Sequence, residues 1–143
     1  MKVNIKKLNP YAVIPTYAKH GDAGMDLTAI AVEYDRTHDC FIYKTGLAIE
    51  IPEGYVGLIF PRSSNRKTKA YMTNHVGVID SGYRGEIMIT FKNRDCNDRS
   101  YPYTANNRIA QLIILPYPNI EFNEVEELSQ TERGEGGHGS TGK

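Results

Sequence analysis

Apolar residues in this chain recur at every second position, which is the period of a β-strand. In the segment EIMITFK, the side chains of Ile87, Ile89 and Phe91 fall on one face, and residues 41–51, FIYKTGLAIEI, alternate over much of their length. The chain also contains 13 glycines and 7 prolines, which interrupt it at short intervals. Many short strands separated by turns predict an all-β domain built as a sandwich, a barrel or a jelly roll.

Other segments add strands and turns to this outline. Residues 55–60 and 108–117 are apolar runs rich in β-branched and aromatic residues, and both are predicted to be strands. Residues 74–89 predict a β-hairpin with Asp80 at its turn. Residues 64–72 contain a weak helical turn, and a further strand is predicted through Ile120, Phe122 and Val125.

The end of the chain has a different composition from the rest. Residues 133–143, RGEGGHGSTGK, contain almost no apolar side chain, so they cannot contribute to a core. The 143 residues suffice for one domain. We therefore expect a β domain over residues 1–128, followed by a mobile glycine-rich arm over residues 129–143.

Charge and cysteine content limit the classes of function. The formal net charge is zero, which argues against a nucleic-acid or membrane-surface protein. Cys40 and Cys96 lie far apart in sequence, outside any metal-ligand spacing, so a reducing compartment fits. No apolar run has the length of a membrane span, and the basic N-terminus is not followed by an apolar segment. A soluble, cytoplasmic protein is expected.

Several polar clusters interrupt the apolar pattern and have the composition of phosphate sites. The segment PRSSNRK, residues 61–67, combines Arg62 with two hydroxyls, and guanidinium and hydroxyl groups suit phosphate oxygens. The same segment is also compatible with a solvated basic loop. Asp26, in DAGMDL, could bind the water shell of a divalent cation or could cap a turn. Gln111 and Arg108 lie in an apolar strand, where a buried polar side chain needs a partner.

Two further segments add to this set. Asp80 either caps its own turn or holds a water molecule beside a ligand, with Tyr83 three residues later. Arg133, Ser140 and Thr141 are spaced by glycines, which allow backbone N–H groups to approach an anion. Together, these loops suit a polyphosphate ligand better than they suit unrelated surface turns.

The segments DAGMDL, PRSS, NHVGVIDSGYRGEI, RIAQLIILP and RGEGGHGSTG occur in the order found in the homotrimeric dUTPase family, the deoxyuridine triphosphate nucleotidohydrolases. The chain closely resembles that family over residues 22–142. The resemblance implies a distorted jelly-roll, β-barrel-like domain that forms a homotrimer, with each active site shared among three subunits and covered by the glycine-rich arm. It also implies hydrolysis of dUTP to dUMP and pyrophosphate, assisted by Mg²⁺.

The resemblance assigns expected roles to individual residues. Asp80 corresponds to the base that activates the attacking water, Tyr83 to the residue that packs under the deoxyribose, and Asp26 to a carboxylate that reaches Mg²⁺ through water. Uracil is read by backbone groups of the predicted hairpin around Gly77, assisted by Asn74. The expected phosphate contacts and arm contacts are Arg62, Ser63, Ser64, Gln111, Arg133, Ser140 and Thr141.

The sequence departs from the family pattern at a few positions. His138 stands where the arm usually has the phenylalanine that stacks on uracil, and an imidazole ring can stack more weakly in its place. Asn65 and Arg66 stand where small or apolar residues are more common, and Arg66 is expected to face solvent.

Two other functions remain open from the sequence. A dCTP deaminase shares this fold, and Glu86 would be its candidate acid–base residue. A nucleotide-responsive regulator could also use the scaffold to bind a protein. The arrangement around Asp80 and the complete glycine-rich arm favour dUTP hydrolysis.

Overall fold

The computed structural model describes residues 1–137. Over that range the chain forms ten β-strands and one short 3-10 helix. The strands are β1 (Asn4–Lys7), β2 (Met25–Thr28), β3 (Ala31–Asp35), β4 (Cys40–Lys44), β5 (Leu47–Glu50), β6 (Tyr55–Pro61), β7 (Ala70–Met72), β8 (Gly77–Ile79), β9 (Met88–Asn93) and β10 (Arg108–Pro116), and the helix covers Ser63–Lys67. The short strands and frequent turns confirm the all-β prediction.

The strands form two four-stranded sheets and one two-stranded sheet, and every pairing is antiparallel. One sheet has the order β2-β10-β6-β8, the second has the order β3-β4-β9-β7, and β1 pairs with β5. Neighbours in a sheet are mostly distant in sequence, so the chain crosses repeatedly between sheets, as in a jelly roll. This arrangement brings β2, β6 and β10 side by side.

The core is formed by the side chains that alternate inward along the strands. Ile87, Ile89 and Phe91 are all buried, as their alternation predicted. The rings of Tyr43 and Tyr103 pack edge-on against Phe91, with ring centroids 5.7 and 5.2 Å from it. This aromatic centre fixes β4 and β9 relative to the loop that precedes β10.

The alternating segment 41–51 is divided between two sheets rather than forming one strand. Gly46 separates β4 from β5 and has a φ angle of +67°, which favours glycine. A Cβ atom at Gly46 would lie 2.6 Å from Ile30 Cδ1 and 3.0 Å from Asn9 Cβ. The chain therefore turns here because only glycine combines this conformation with this close approach.

The predicted β-hairpin over residues 74–89 is wrong. β8 pairs with β6, whereas β9 pairs with β4 and β7, so the two strands belong to different sheets. Residue Ile87 precedes β9, and its N–H donates to Leu47 O at 2.8 Å. The segment after Ile79 therefore connects two sheets, and Asp80 still lies at the turn as expected.

The predicted strand through Ile120, Phe122 and Val125 is also wrong, because residues 117–137 contain no strand. Phe122 is 93% exposed, so no other part of the described chain covers it. The helical turn predicted within residues 64–72 is confirmed in shorter form by the 3-10 helix, after which β7 begins. The division at residue 128 and the mobility of the arm stay predictions. Within residues 1–137, no helix is long and apolar enough to cross a membrane.

Candidate active site

The first candidate cleft lies where β2, β6 and β10 meet. It has a volume of about 370 Å³, and we call it the arginine cleft. Gln111 in β10 pairs with Asp26 in β2 on one side and with Phe60 in β6 on the other. The sheet register therefore brings together four predicted site residues that are up to 85 positions apart: Asp26, Arg62, Ser63 and Gln111 line the cleft.

Two arginines bind one carboxylate in the arginine cleft. Arg62 Nε donates to Asp26 Oδ1 at 2.6 Å, and Arg108 Nη1 donates to Asp26 Oδ2 at 3.0 Å. Arg62 Nη1 also lies 3.3 Å from Ser64 Oγ, which places the second hydroxyl of the loop beside the guanidinium. The two guanidinium groups provide N–H donors of the kind that bind anionic oxygens. Arg108 is exposed, and its side chain has Asp26 as a hydrogen-bond partner.

The amide of Gln111 fits in the arginine cleft because Gly24 leaves room for it, a role that the sequence analysis did not assign. Gln111 Nε2 donates to Pro61 O at 3.2 Å. A Cβ atom at Gly24 would lie 2.6 Å from Gln111 Oε1, so any larger residue would displace the amide. The Ala-Gly step between Asp22 and Asp26 is the sequence feature that could have indicated this close approach.

The second candidate cleft follows β8 and contains the predicted base. Asp80, Tyr83 and Glu86 line it together with Val78, Ile79 and Met88, and its volume is about 180 Å³. We call it the tyrosine cleft. Asp80 is exposed, so water can reach its carboxylate. Tyr83 N–H donates to Asp80 O at 3.1 Å, and this bond closes the turn between the two residues.

The side chain of Tyr83 packs against its own loop. Its hydroxyl donates to Glu86 O at 3.0 Å. A Cβ atom at Gly85 would collide with the hydroxyl and the ring of Tyr83. Gly85 therefore leaves room for the ring, a role that the motif YRGE did not reveal.

The turn that carries Asp80 and Tyr83 is anchored by Arg84. Its Nη1 donates to Ser81 O at 2.6 Å and to Tyr83 O at 3.0 Å, and its Nη2 donates to Glu50 Oε1 at 3.2 Å. Asn4 Nδ2 donates to the other Glu50 oxygen at 2.7 Å. The Asn4 hydrogen bond, followed by the charge of Arg84, holds the pKa of Glu50 below its ordinary value. Sequence reasoning missed this anchor because its members are distant in sequence.

Asn74 and Gly77 lie at the beginning of β8, whereas Asp80 follows its end. A Cβ atom at Gly77 would lie 3.2 Å from Ile59 Cβ and 3.5 Å from Asn74 Nδ2. Gly77 thus lets β8 lie close to β6 and places the Asn74 amide beside the strand.

The two clefts lie at opposite ends of the β6–β8 pair. Ile79 pairs with Gly57, so Asp80 comes opposite Val56, whereas Arg62 follows the far end of β6. Six residues of extended chain separate the two positions, which corresponds to about 20 Å. One copy of the described chain therefore does not bring Asp80 to the arginine cleft.

Arg133 is the predicted arm contact that the structure describes, and it does not lie at either cleft. Arg133 is exposed, and its Nε donates to Gly136 O at 3.1 Å. Neither cleft has Arg133 among its lining residues. His138, Ser140 and Thr141 lie outside the described residues, so their predicted roles stay predictions.

The arginine cleft fits Mg²⁺ only in combination with a phosphate ligand. No group of three His, Cys, Asp or Glu side chains converges within residues 1–137. Asp22 and Asp26 both line the cleft, but Asp22 Oδ2 accepts from Lys19 N–H at 2.8 Å and Asp26 is bound by two arginines. Mg²⁺ commonly binds through one or two carboxylates, water molecules and substrate phosphates. These residues therefore suit an ion that arrives with its nucleotide.

Comparison with known proteins decides the family. The dUTPase family model matches residues 10–142. The chain belongs to the dUTPase family. Deoxyuridine 5'-triphosphate nucleotidohydrolases from Nautilia profundicola and Clostridioides difficile are 44% and 42% identical to it, respectively. The first match covers 100% of both chains, and the second covers 98% of this chain and 97% of the relative.

Solved dUTPase structures share the fold. A mutant of the dUTPase from Staphylococcus bacteriophage 80alpha, with dUpNHpp, superimposes with a TM-score of 0.84 at 31% identity and covers 99% of each chain. A mutant dUTPase from phage phi11 of S. aureus, with a coordinated structural Mg(II) ion, gives a TM-score of 0.72 at 28% identity. That match covers 89% of this dUTPase and 98% of the phi11 chain. The jelly-roll prediction is thereby confirmed.

Proposed function

We propose that this dUTPase hydrolyses dUTP to dUMP and pyrophosphate at sites assembled from both clefts. The observation that carries the proposal is the pair of clefts itself. One contains an exposed carboxylate beside a tyrosine ring, and the other contains Arg62 and Ser63 beside an aspartate that Arg108 also binds. A nucleoside triphosphate needs both kinds of surface, since its base is planar and largely apolar and its phosphate chain is strongly anionic.

Asp80 is the proposed general base. Its carboxylate takes a proton from a water molecule, and the water oxygen forms a bond to the α-phosphorus while the bond from that phosphorus to the bridging oxygen of the β-phosphate breaks. The electron pair of the broken bond leaves with pyrophosphate, and dUMP keeps the new oxygen. An exposed aspartate suits this role because water can reach its carboxylate.

The arginine cleft is proposed to hold the phosphate chain. Arg62, Ser63, Ser64 and Gln111 provide donors that fix its position, and the positive charge offsets the repulsion between the substrate and the incoming water oxygen. Mg²⁺, when bound with the nucleotide, neutralises further phosphate charge. Asp26 would contact that ion through water while continuing to orient Arg62 and Arg108.

The separation of the clefts supports a site that is shared between copies of the chain. Since about 20 Å lies between Asp80 and Arg62 along one chain, the two residues of one site are proposed to come from different subunits of a homotrimer. Exposed apolar side chains in the segment that precedes the arm, such as Phe122 and Leu128, 93% and 87% exposed, suit contact with a neighbouring subunit. Arg133, His138, Ser140 and Thr141 are proposed to reach the site from the third subunit.

Tyr83 is proposed to exclude the 2′-hydroxyl of ribonucleotides, and Gly85→Ala tests this role. The added methyl group pushes the ring away from its loop and breaks the bond to Glu86 O. We expect the ratio of kcat/KM for dUTP to kcat/KM for UTP to fall about tenfold, which is the size of a moderate steric discrimination. The matched control is Gly82→Ala in the same turn, because a Cβ atom at Gly82 meets nothing within 4 Å. Equal ratios in the two variants would remove Tyr83 from the specificity site.

Pyrophosphate release from dUTP in the presence of Mg²⁺ tests the proposed function, with dUMP identified as the second product. Ammonia release from dCTP is measured in parallel, because a deaminase would need Glu86 as an acid–base group. Glu86 Oε1 accepts a hydrogen bond from Gly46 N–H at 2.7 Å, which favours a structural role. Ammonia from dCTP without pyrophosphate from dUTP would replace the proposal by the deaminase function.

A further inference from the structure

A hydrogen-bond network connects the aromatic core to the loop that carries Ser63 and Ser64. Its central residue is Asn65, in the 3-10 helix that follows Arg62. Asn65 Nδ2 donates to Ala70 O at 3.2 Å, and Asn65 Oδ1 accepts from the Tyr103 hydroxyl at 2.9 Å and from Thr68 Oγ1 at 3.0 Å. One amide in the middle of the helix therefore connects it to Thr68 just after its end, to the beginning of β7 and to the loop before β10.

Tyr103 is itself fixed by the core. Its N–H donates to the Tyr43 hydroxyl at 3.0 Å, and that hydroxyl donates back to Tyr103 O at 3.0 Å. Burial raises the pKa of Tyr43 to about 12 and also raises the pKa of Tyr103. Both hydroxyls therefore stay protonated and keep donating across the neutral pH range. Tyr43 is fully buried, so the network ends on a rigid part of the fold.

The helix has few other means of being held in place. None of its five residues is buried, and no side chain caps its beginning. The neighbouring Arg66 is exposed, as expected, and cannot substitute for a buried anchor. A short 3-10 helix with no buried side chain has little stability of its own. The amide of Asn65 is thus the link between this helix and the tyrosines.

We infer that Asn65 and Tyr103 are positioning residues, which hold Ser63 and Ser64 in the geometry that binds the phosphate chain of the substrate. This inference rests on the proposed function. Asn65 follows Ser63 and Ser64 directly, and Ser64 Oγ lies 3.3 Å from Arg62 Nη1. A displacement of the helix therefore moves hydroxyl donors relative to the guanidinium. A small or apolar residue at position 65 could not accept the Tyr103 hydrogen bond.

Removing the Tyr103 hydroxyl should weaken binding of the phosphate chain and leave the affinity for the nucleoside part of the substrate nearly unchanged. Tyr103→Phe loses one hydrogen bond, so the Kd for pyrophosphate and the KM for dUTP should rise about fivefold. Asn65→Ala loses three, and both constants should rise about thirtyfold or more. The Kd for deoxyuridine should change less than twofold in either variant, which a general loss of folding would not produce. Calorimetry and initial-rate kinetics on the full chain give these values.

The controls separate the inference from the proposed function. Tyr101→Phe removes a hydroxyl from the same loop, at a residue that is 51% exposed and packs on Phe41 instead. The double variant Asn65→Ala/Tyr103→Phe should match Asn65→Ala alone, because both changes break one shared bond. Suppose that the wild-type chain hydrolyses dUTP, but that both Tyr103→Phe and Asn65→Ala give the same constants as Tyr101→Phe. The inference is then wrong, and the proposed function is unaffected. If the wild-type chain does not hydrolyse dUTP, the proposed function and the inference both fail.

Discussion

Asp80→Asn is expected to lower kcat for dUTP about 10³-fold while leaving KM within about threefold, because general-base catalysis contributes roughly 10²–10⁴-fold. An amide has nearly the same shape as the carboxylate but cannot take a proton from water at neutral pH. Asp80 is exposed, and its backbone oxygen, rather than its carboxylate, accepts the bond that closes the turn. The substitution should therefore leave the tyrosine cleft intact.

Single-turnover pyrophosphate release and calorimetric titration with dUTP would separate the chemical step from binding in Asp80→Asn. Asp95→Asn is the matched control, since Asp95 is an exposed aspartate whose carboxylate accepts only from Asn97 N–H within residues 1–137. A kcat within tenfold of wild type in Asp80→Asn would show that another group activates the water.

Arg62→Ala is expected to lower kcat/KM for dUTP about 10²- to 10³-fold, because a charge-assisted contact to phosphate is lost and the Asp26 carboxylate keeps only Arg108 as a partner within residues 1–137. Part of the negative charge of Asp26 is then no longer balanced, and it repels the phosphates of the incoming substrate. Arg62→Lys should recover part of the loss, because it restores the charge without the planar fork. The effect on folding should be modest, since the Arg62 and Asp26 side chains remain 24% and 18% exposed.

Initial-rate kinetics and the Kd for pyrophosphate would measure this effect. Arg94→Ala provides the control, because Arg94 is exposed. Within residues 1–137 it makes one hydrogen bond, from its backbone N–H to Lys69 O, which the substitution leaves in place. If Arg62→Ala and Arg94→Ala gave the same kcat/KM, phosphate binding would have to lie outside the arginine cleft.

The sequence predicted those parts of the fold and site that local patterns encode. Alternation identified β9 and the buried face of Ile87, Ile89 and Phe91, and apolar runs identified β6 and β10. Arg62 and Ser63 were recognisable because guanidinium and hydroxyl groups at the end of a strand suit a phosphate ligand. Gln111 was recognisable because a polar side chain within an apolar strand needs a hydrogen-bond partner. The sheet register then placed them with Asp26 in one cleft.

Features that depend on distant partners could not be predicted in this way. The hairpin prediction failed because β8 pairs with β6 and not with the next strand along the chain, which no local pattern records. The bond from Tyr103 to Asn65 spans 38 residues, and the ion pair of Arg84 with Glu50 spans 34. Ile120 and Phe122 alternate like a strand, but pairing needs a partner edge, and the single chain provides none within its described part.

Mixing two inactive variants tests the central claim, that each site combines the tyrosine cleft of one subunit with the arginine cleft of another. Asp80→Asn and Arg62→Ala chains are unfolded together in equal amounts, refolded, and assayed for pyrophosphate release from dUTP beside each parent refolded alone. Random assembly makes about three-quarters of the trimers mixed, and each mixed trimer has one intact site of three. A shared site therefore predicts about a quarter of the refolded wild-type activity. A mixture no more active than its parents would contradict the shared site.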